Sequence, residues 1–216
     1  MEFIQFIIDF ILHIDEHLVE ITSQYGIQTY LILFLIIFIE TGVVIMPFLP
    51  GDSLIFAAAA LTAIDGCPLN IFVLFFVVLS AAIIGDTVNY HIGKVFGNKL
   101  INWNSKLIKK EYIDKTYNFF EKHGGKSIII ARFVPIIRTF APFVAGIGKM
   151  KYLRFLSFNA IGGLLWTSLF CIAGYFFGNV PFVRDNFSIV ILAIIFISLL
   201  PAIFAFIKGK IDGKVK

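Results

Sequence analysis

Little of this chain is charged. Asp, Glu, Lys and Arg make up 15% of its 216 residues, against about 25% in an average soluble domain. That is too few to clothe a surface facing water, which excludes an ordinary soluble globular protein. Cysteine is nearly absent, with only Cys67 and Cys171, far apart in sequence. Two such thiols exclude a disulfide-stapled scaffold and read as small apolar packing residues. His91 and His123 do not sit in metal-ligand spacing, and no metal and no cofactor are expected. H-E-x-x-H, Walker A and G-x-S-x-G motifs are all missing, and GIGK at 146–149 lacks the rest of a phosphate loop. An intramembrane aspartyl protease needs two facing aspartates but has no use for arginines. The chain is therefore not expected to be an enzyme. The amino terminus, MEFIQFIIDF, lacks the positive charge of a signal peptide, so no cleavage is expected.

What is present is apolar sequence in long runs. Hydrophobic residues reach 59%, with a mean hydropathy of +0.91. Several uncharged stretches reach the roughly 20 residues that span a bilayer. The fold class expected is an all-α polytopic membrane protein. The net charge of +4 then reports orientation through loop lysines and arginines rather than nucleic-acid binding.

The organisation follows from breaks in those runs. Residues 1–24 form an amphipathic interfacial helix, with Glu2, Gln5, Asp9, His13, Glu16 and Glu20 on one stripe. Its acidic face leaves its side of the membrane unassigned. A single membrane domain fills 25–207, and a basic cytoplasmic tail follows at 208–216. Within the domain, 27–64 carries only Glu40 and Asp52 and is too long for one span. Pro47, Pro50 and Gly51 divide it into a spanning helix at about 27–45 and a re-entrant segment at about 47–63. A span at 69–92 comes next. Residues 94–126, with eight lysines and three acids, form a cytoplasmic loop holding an amphipathic segment at about 106–122. Uncharged spans at 155–178 and 186–207 complete the domain.

Residues 127–148 have lysine-rich flanks on both sides, with Lys149, Lys151 and Arg154 on the far one. A segment whose two ends lie on one side does not cross. It dips in and returns, with Pro135 and Pro142 supplying bends and Gly146 the turn. Phe48 and Pro50 are echoed by Phe133 and Pro135, and Gly93 and Gly97 by Gly174 and Gly178. The two halves thus form a weak repeat with opposite orientations, a transporter-like inverted repeat.

Arg132 and Arg138 lie inside this dip. Each costs at least about 2.5–3.5 kcal/mol near the bilayer centre, and arginine does not shed its proton. Carboxylates, carbonyls, water or an anionic ligand must compensate them. Glu40, Asp52 and Asp86 are the intramembrane carboxylates available. On a straight helix the arginines would point about 120° apart; a break at Pro135 lets both face one cavity. The pair suits a phosphate or carboxylate headgroup held through two parallel hydrogen bonds. The plain alternative is an ion-paired core without a ligand. Glu40 and Asp52 are counter-charges or proton carriers. Asp86, at the cytoplasmic end of its span, reads as a packing or capping residue. Asp86, Tyr90 and Asn159 are placed as support, Asn159 by bonding across helices. Trp166 reads as core or interface, and the glycines as points of close helix approach.

Four ordered blocks, FIETGVVIMPFLPGDSL, GDTVNYHIGKVFG, ARFVPIIRTFAPFVAG and NAIGGLLW, resemble the DedA family, the bacterial branch of the SNARE-associated, VTT-domain membrane proteins. The resemblance runs over about 30–180. It implies two opposed re-entrant hairpins among spanning helices and a role in cell-envelope homeostasis. It implies transport of an anionic lipid carrier such as undecaprenyl phosphate, flippase-like or scramblase-like, with the proton motive force often invoked. The family's functional charges fall on Glu40, Asp52, Arg132 and Arg138.

The expectation is thus a lipid transporter of the bacterial cytoplasmic membrane with a cytoplasmic C-terminus. Arg132 and Arg138 bind the phosphate headgroup, and Glu40 and Asp52 balance them or carry protons. A proton-coupled antiporter of ions or small cationic compounds and a non-transporting scaffold are the alternatives. The sequence leaves homo-oligomerisation, the lipid and the coupling ion open.

Overall fold

The computed structural model describes residues 22, 25–42, 51–64, 66–102 and 110–180. The amphipathic segment expected at the amino terminus, Pro47 and Pro50, the span at 186–207 and the basic tail lie outside the described residues. Among the described residues the secondary structure is entirely helical. In order the helices are α1 (Thr29–Gly42), α2 (Gly51–Leu61), α3 (Ile71–Asn102), α4 (Lys110–His123), α5 (Ser127–Ala131), α6 (Pro135–Ile147) and α7 (Tyr152–Gly178). Short 3-10 turns at Gly26–Gln28 and Gly124–Lys126 lead into α1 and α5.

Two helices are long and apolar enough to cross a membrane, over Ile71–Gly97 and Tyr152–Gly178. At about 1.5 Å per residue each exceeds the roughly 30 Å hydrocarbon core. Their polarity is inverted relative to a water-soluble bundle. Ile84 and Val88 on α3 and Ile161, Leu165 and Leu169 on α7 face outward, while Asp86, Asn89, Asn159 and Thr167 are buried. Water would favour the reverse arrangement; lipid favours this one.

The span expected to end at residue 92 continues as helix α3 to Asn102. Gly93 and Gly97 do not end it, because their missing side chains are filled by packing. A Cβ on Gly93 would overlap the Phe143 carbonyl of α6, and one on Gly97 would overlap the Ile147 side chain. The start of α3 is fixed by Asn70, whose Oδ1 accepts from the backbone N–H groups of Phe72 at 2.9 Å and Val73 at 3.3 Å. This is a side-chain cap for otherwise orphaned donors.

The described residues divide into two compact units, and α1, α3 and α7 contribute to both. The first includes α2, the start of α3 and the end of α7. Here α2 is buried from Ser53 to Leu61, and its alanines admit the glycines of α7. A Cβ on Gly174 would overlap the Phe56 carbonyl, and one on Gly178 the Ala60 carbonyl. Tyr30 anchors the Asn70 turn, its hydroxyl oxygen accepting the Asn70 N–H at 2.5 Å.

The second unit holds α4, α5 and α6, with residues 31–42, 75–102 and 152–169 of the longer helices. Its core gathers Tyr90, Ile128, Ala131, Ala141, Ala145 and Phe155. The Tyr90 ring stacks on Phe155 with centroids 4.5 Å apart, and its hydroxyl donates to the Met150 carbonyl. Amphipathic α4 turns Phe120 to this core and leaves Asp114, Glu121 and Lys122 exposed.

Two expectations for the hairpin need correction. Helix α6 continues through Pro142, so the break falls at 132–134 instead. Gly146 is not the turn either. It lies inside α6, where a Cβ would overlap the Tyr90 carbonyl of α3. The turn follows it: Lys149 adopts φ 52°, and the N–H groups of Lys149 and Met150 donate to the carbonyls of Gly146 and Ala145, both at 3.0 Å. This crossed pair of bonds is a Schellman ending with lysine in the position usually given to glycine.

Candidate functional site

The site is built around the interruption between α5 and α6. Val134 is extended, with φ −118° and ψ 106°, because the following proline disfavours a helical residue before it. Pro135 then opens α6, where a missing N–H costs nothing. Arg132 consequently caps the end of α5, and Arg138 lies in the first turn of α6. The break redirects both side chains toward α7. The guanidinium carbons of Arg132 and Arg138 lie 5.9 and 4.4 Å from the centre of the Trp166 ring. Trp166 is fully buried, so its π face attracts both cations where no water screens them.

Each arginine has a carboxylate. Arg138 Nη2 lies 3.4 Å from Glu40 Oε1, a carboxylate near the end of α1. A cation in the first turn of a helix is opposed by the helix dipole, and Glu40 offsets that. Arg132 Nη2 donates to Asp86 Oδ2 of α3 at 2.5 Å and to Asn159 Oδ1 of α7 at 2.5 Å. Asn159 is itself fixed, its amide donating to the Ile83 carbonyl at 3.1 Å. Arg132 lies beside Gly162 and Gly163, where a Cβ on Gly162 would come within 3.2 Å of Arg132 Cδ. Among the described residues, the two ion pairs bring together two positive and two negative side chains, all mostly buried. Removing one member of such a buried pair typically costs about 3–5 kcal/mol.

Asp86 is not a helix-end residue as its sequence position suggests. It lies midway along α3 because that helix runs on to Asn102, and it carries the ion pair to Arg132. Asp52 occupies the first turn of α2, in the other unit. Two participants were missed. Trp166 reads in sequence like any buried aromatic, although the preceding glycines signal room beside it. Asn89, one turn beyond Asp86, donates from its amide to the carbonyls of Thr41 at 3.1 Å and Thr139 at 2.9 Å. It joins α1, α3 and α6.

Chemically, the cluster presents arginine N–H groups in a low-dielectric setting, where charge-assisted bonds to an oxyanion are strong. Arg132 Nε and Nη1 are buried without a hydrogen-bond partner among the described residues.

Comparison with known proteins bears on the whole chain. The family profile for the VTT domain matches residues 49–176. The protein named DedA of Escherichia coli K12 is 56% identical over 211 residues, covering 97% of this chain and 96% of its own. An uncharacterized membrane protein of Mycobacterium tuberculosis is 47% identical over 170 residues, 78% of this chain and 74% of that one. The inner membrane protein YqjA of Escherichia coli K12 is 36% identical over 156 residues, 70% of this chain and 69% of that one. No solved structure matches.

Proposed function

Because this chain belongs to the DedA family of VTT-domain membrane proteins, we propose that it moves an anionic lipid across the bacterial cytoplasmic membrane. The substrate class is a phospholipid or a polyprenyl-phosphate carrier such as undecaprenyl phosphate, and transport supports the cell envelope. The observation that carries this reading is the placement of Arg132 and Arg138 over one buried Trp166 ring. Two guanidiniums meeting in an apolar setting suit a phosphate headgroup, while its tails stay in lipid. The inner-membrane relative supports the location.

Helices α2 and α6 have 11 and 13 residues, fewer than the roughly 20 a spanning helix needs. This supports two re-entrant hairpins. The glycine pairs support an inverted repeat: the span after one hairpin holds the helix of the other, Gly93 and Gly97 on α6, Gly174 and Gly178 on α2. Access to alternate sides then comes from the hairpins rocking about the site. Glu40 and Asp52 are the proposed proton-linked or counter-charge groups, and the C-terminus is cytoplasmic.

The test is reconstitution of the purified protein with labelled polyprenyl phosphate. Headgroup accessibility is followed with and without a pH gradient. Faster exchange by wild type than by Arg138→Ala is expected; equal rates sink the proposal. Cation exchange without headgroup movement would favour an antiporter instead. A second reading, an ion-paired scaffold, is favoured by the charge balance of the cluster. It predicts that Arg132→Lys and Arg138→Lys are tolerated, whereas a bidentate phosphate site loses function because lysine has no fork.

A further inference from the structure

Arg132 is already occupied in a way that decides how an anion can reach it. A guanidinium has five N–H bonds arranged as two forks, one formed by Nε with Nη2 and one by Nη1 with Nη2. Nη2 belongs to both. Its two N–H bonds go to Asp86 Oδ2 and Asn159 Oδ1. Each fork is therefore half taken, although Nε and Nη1 have no hydrogen-bond partner among the described residues. An oxyanion cannot engage Arg132 through two parallel bonds unless one of these ligands withdraws.

The two ligands are held differently. Asn159 is tied at both ends of its amide, to Arg132 by its oxygen and to the Ile83 carbonyl by its nitrogen. Among the described residues, Asp86 has no hydrogen bond other than that to Arg132. Asp86 also carries the charge that would repel an arriving anion. Its withdrawal frees one fork completely and removes the repulsion, whereas withdrawal of Asn159 would leave the negative charge in place.

We propose that Asp86 is a displaceable internal ligand: a phosphate oxyanion takes Arg132 by exchange with the Asp86 carboxylate, while Asn159 keeps the guanidinium aimed. Asp86 is in this sense a positioning residue that keeps the site closed when empty. The proposal rests on the reading above that the arginines receive a phosphate headgroup.

The exchange gives a sign that a structural ion pair does not. An internal competitor lowers apparent affinity by the fraction of time the site is open. Asp86→Asn keeps the shape and an acceptor oxygen but weakens the competition. The full chain, purified in detergent, is titrated with decyl phosphate and separately with inorganic phosphate, and folding is checked by thermal unfolding. Asp86→Asn is expected to bind decyl phosphate about tenfold more tightly than wild type. Tightening for decyl phosphate alone assigns a lipid headgroup, and tightening for both probes assigns the phosphate itself; each supports exchange. Arg132-dependent binding by wild type with unchanged or weaker binding by Asp86→Asn overturns the exchange and leaves the phosphate site standing. Wild-type binding no better than that of an Arg132→Ala, Arg138→Ala double variant overturns both. Should Asp86→Asn not fold, Asp86→Ser, which keeps a hydroxyl oxygen as acceptor without the charge, carries the test: tighter decyl phosphate binding is expected, and an unchanged or weaker affinity overturns the exchange.

Discussion

The guanidinium of Arg138 lies over the Trp166 ring, 4.4 Å from its centre. Arg132 approaches the same ring at 5.9 Å. One indole thus sets where two like charges rest, and Glu40 and Asp86 make that arrangement tolerable. A desolvated cation–π contact is worth about 2 kcal/mol or more. Trp166→Leu should slow headgroup exchange in proteoliposomes about tenfold. Trp166→Phe, which keeps a π face, should lie between that variant and wild type. Equal rates for Leu and Phe would reduce the ring to a space-filler.

Asn89 predicts a stability effect without a charge effect. Its amide serves the carbonyls of Thr41 and Thr139. Asn89→Ala removes both bonds inside the apolar interior. Interhelical bonds of this kind are worth about 0.6–1.7 kcal/mol each in membrane proteins, so thermal unfolding in detergent should show a loss of about 1–3 kcal/mol for the two. Asn89→Asp should be worse, because a carboxylate there faces two carbonyl oxygens.

The meeting of α3 and α6 predicts intolerance of single methyl groups. A Cβ at Gly93 or Gly146 would strike backbone of the opposing helix, which cannot swing aside as a side chain can. Gly93→Ala and Gly146→Ala should each cost about 1–3 kcal/mol. Gly42→Ala serves as a control, since its Cβ would come no nearer than 3.5 Å to its neighbours on α3, an ordinary contact. Unfolding midpoints of the three variants measure the contrast.

Lys149 predicts a gain. A non-glycine residue at φ 52° carries about 1–2 kcal/mol of strain. Glycine relieves it but gives the unfolded chain more freedom, about 0.4–1 kcal/mol. Lys149→Gly should therefore stabilise the protein by about 0.5–1 kcal/mol, seen as a higher unfolding temperature. Lys149→Val should lower it, because a β-branched residue fits that conformation poorly.

How much of this was legible in the sequence depends on the residue. Arg132, Arg138 and Glu40 stand out because a charge in an apolar run demands compensation. The break before Pro135 is legible for a similar reason, since proline constrains its neighbour. Pro142 is not legible, because a helix loses only one bond at an internal proline and packing decides whether it continues. The charged YHIGK that follows Asp86 makes it read as a helix-end residue. Gly93 and Gly97 are legible as points of close helix approach, and they seat against Phe143 and Ile147 of α6; that α3 runs past them to Asn102 is not legible, because the charged YHIGK reads as the end of a span. The choice of Asp86 for Arg132 is a tertiary pairing, which spacing along the chain does not encode. Trp166 and Asn89 carry no charge, and nothing in a single sequence distinguishes them from ordinary membrane-buried aromatics and amides.

The contact of Gly174 and Gly178 with α2 has a consequence for how the protein is made. Phe56 and Ala60 leave the ribosome early, and the glycines that seat against their carbonyls are synthesised more than half the chain later. By contrast, α3 meets α6 after a much shorter wait. The short helix bearing Asp52 must therefore be inserted, or sheltered by the translocation machinery, well before its permanent neighbour exists. Chain termination or a pause ahead of α7 would leave that helix without the glycine face of α7. Early quality control by membrane proteases should then meet α2 without its glycine seat and Arg132 without Asn159.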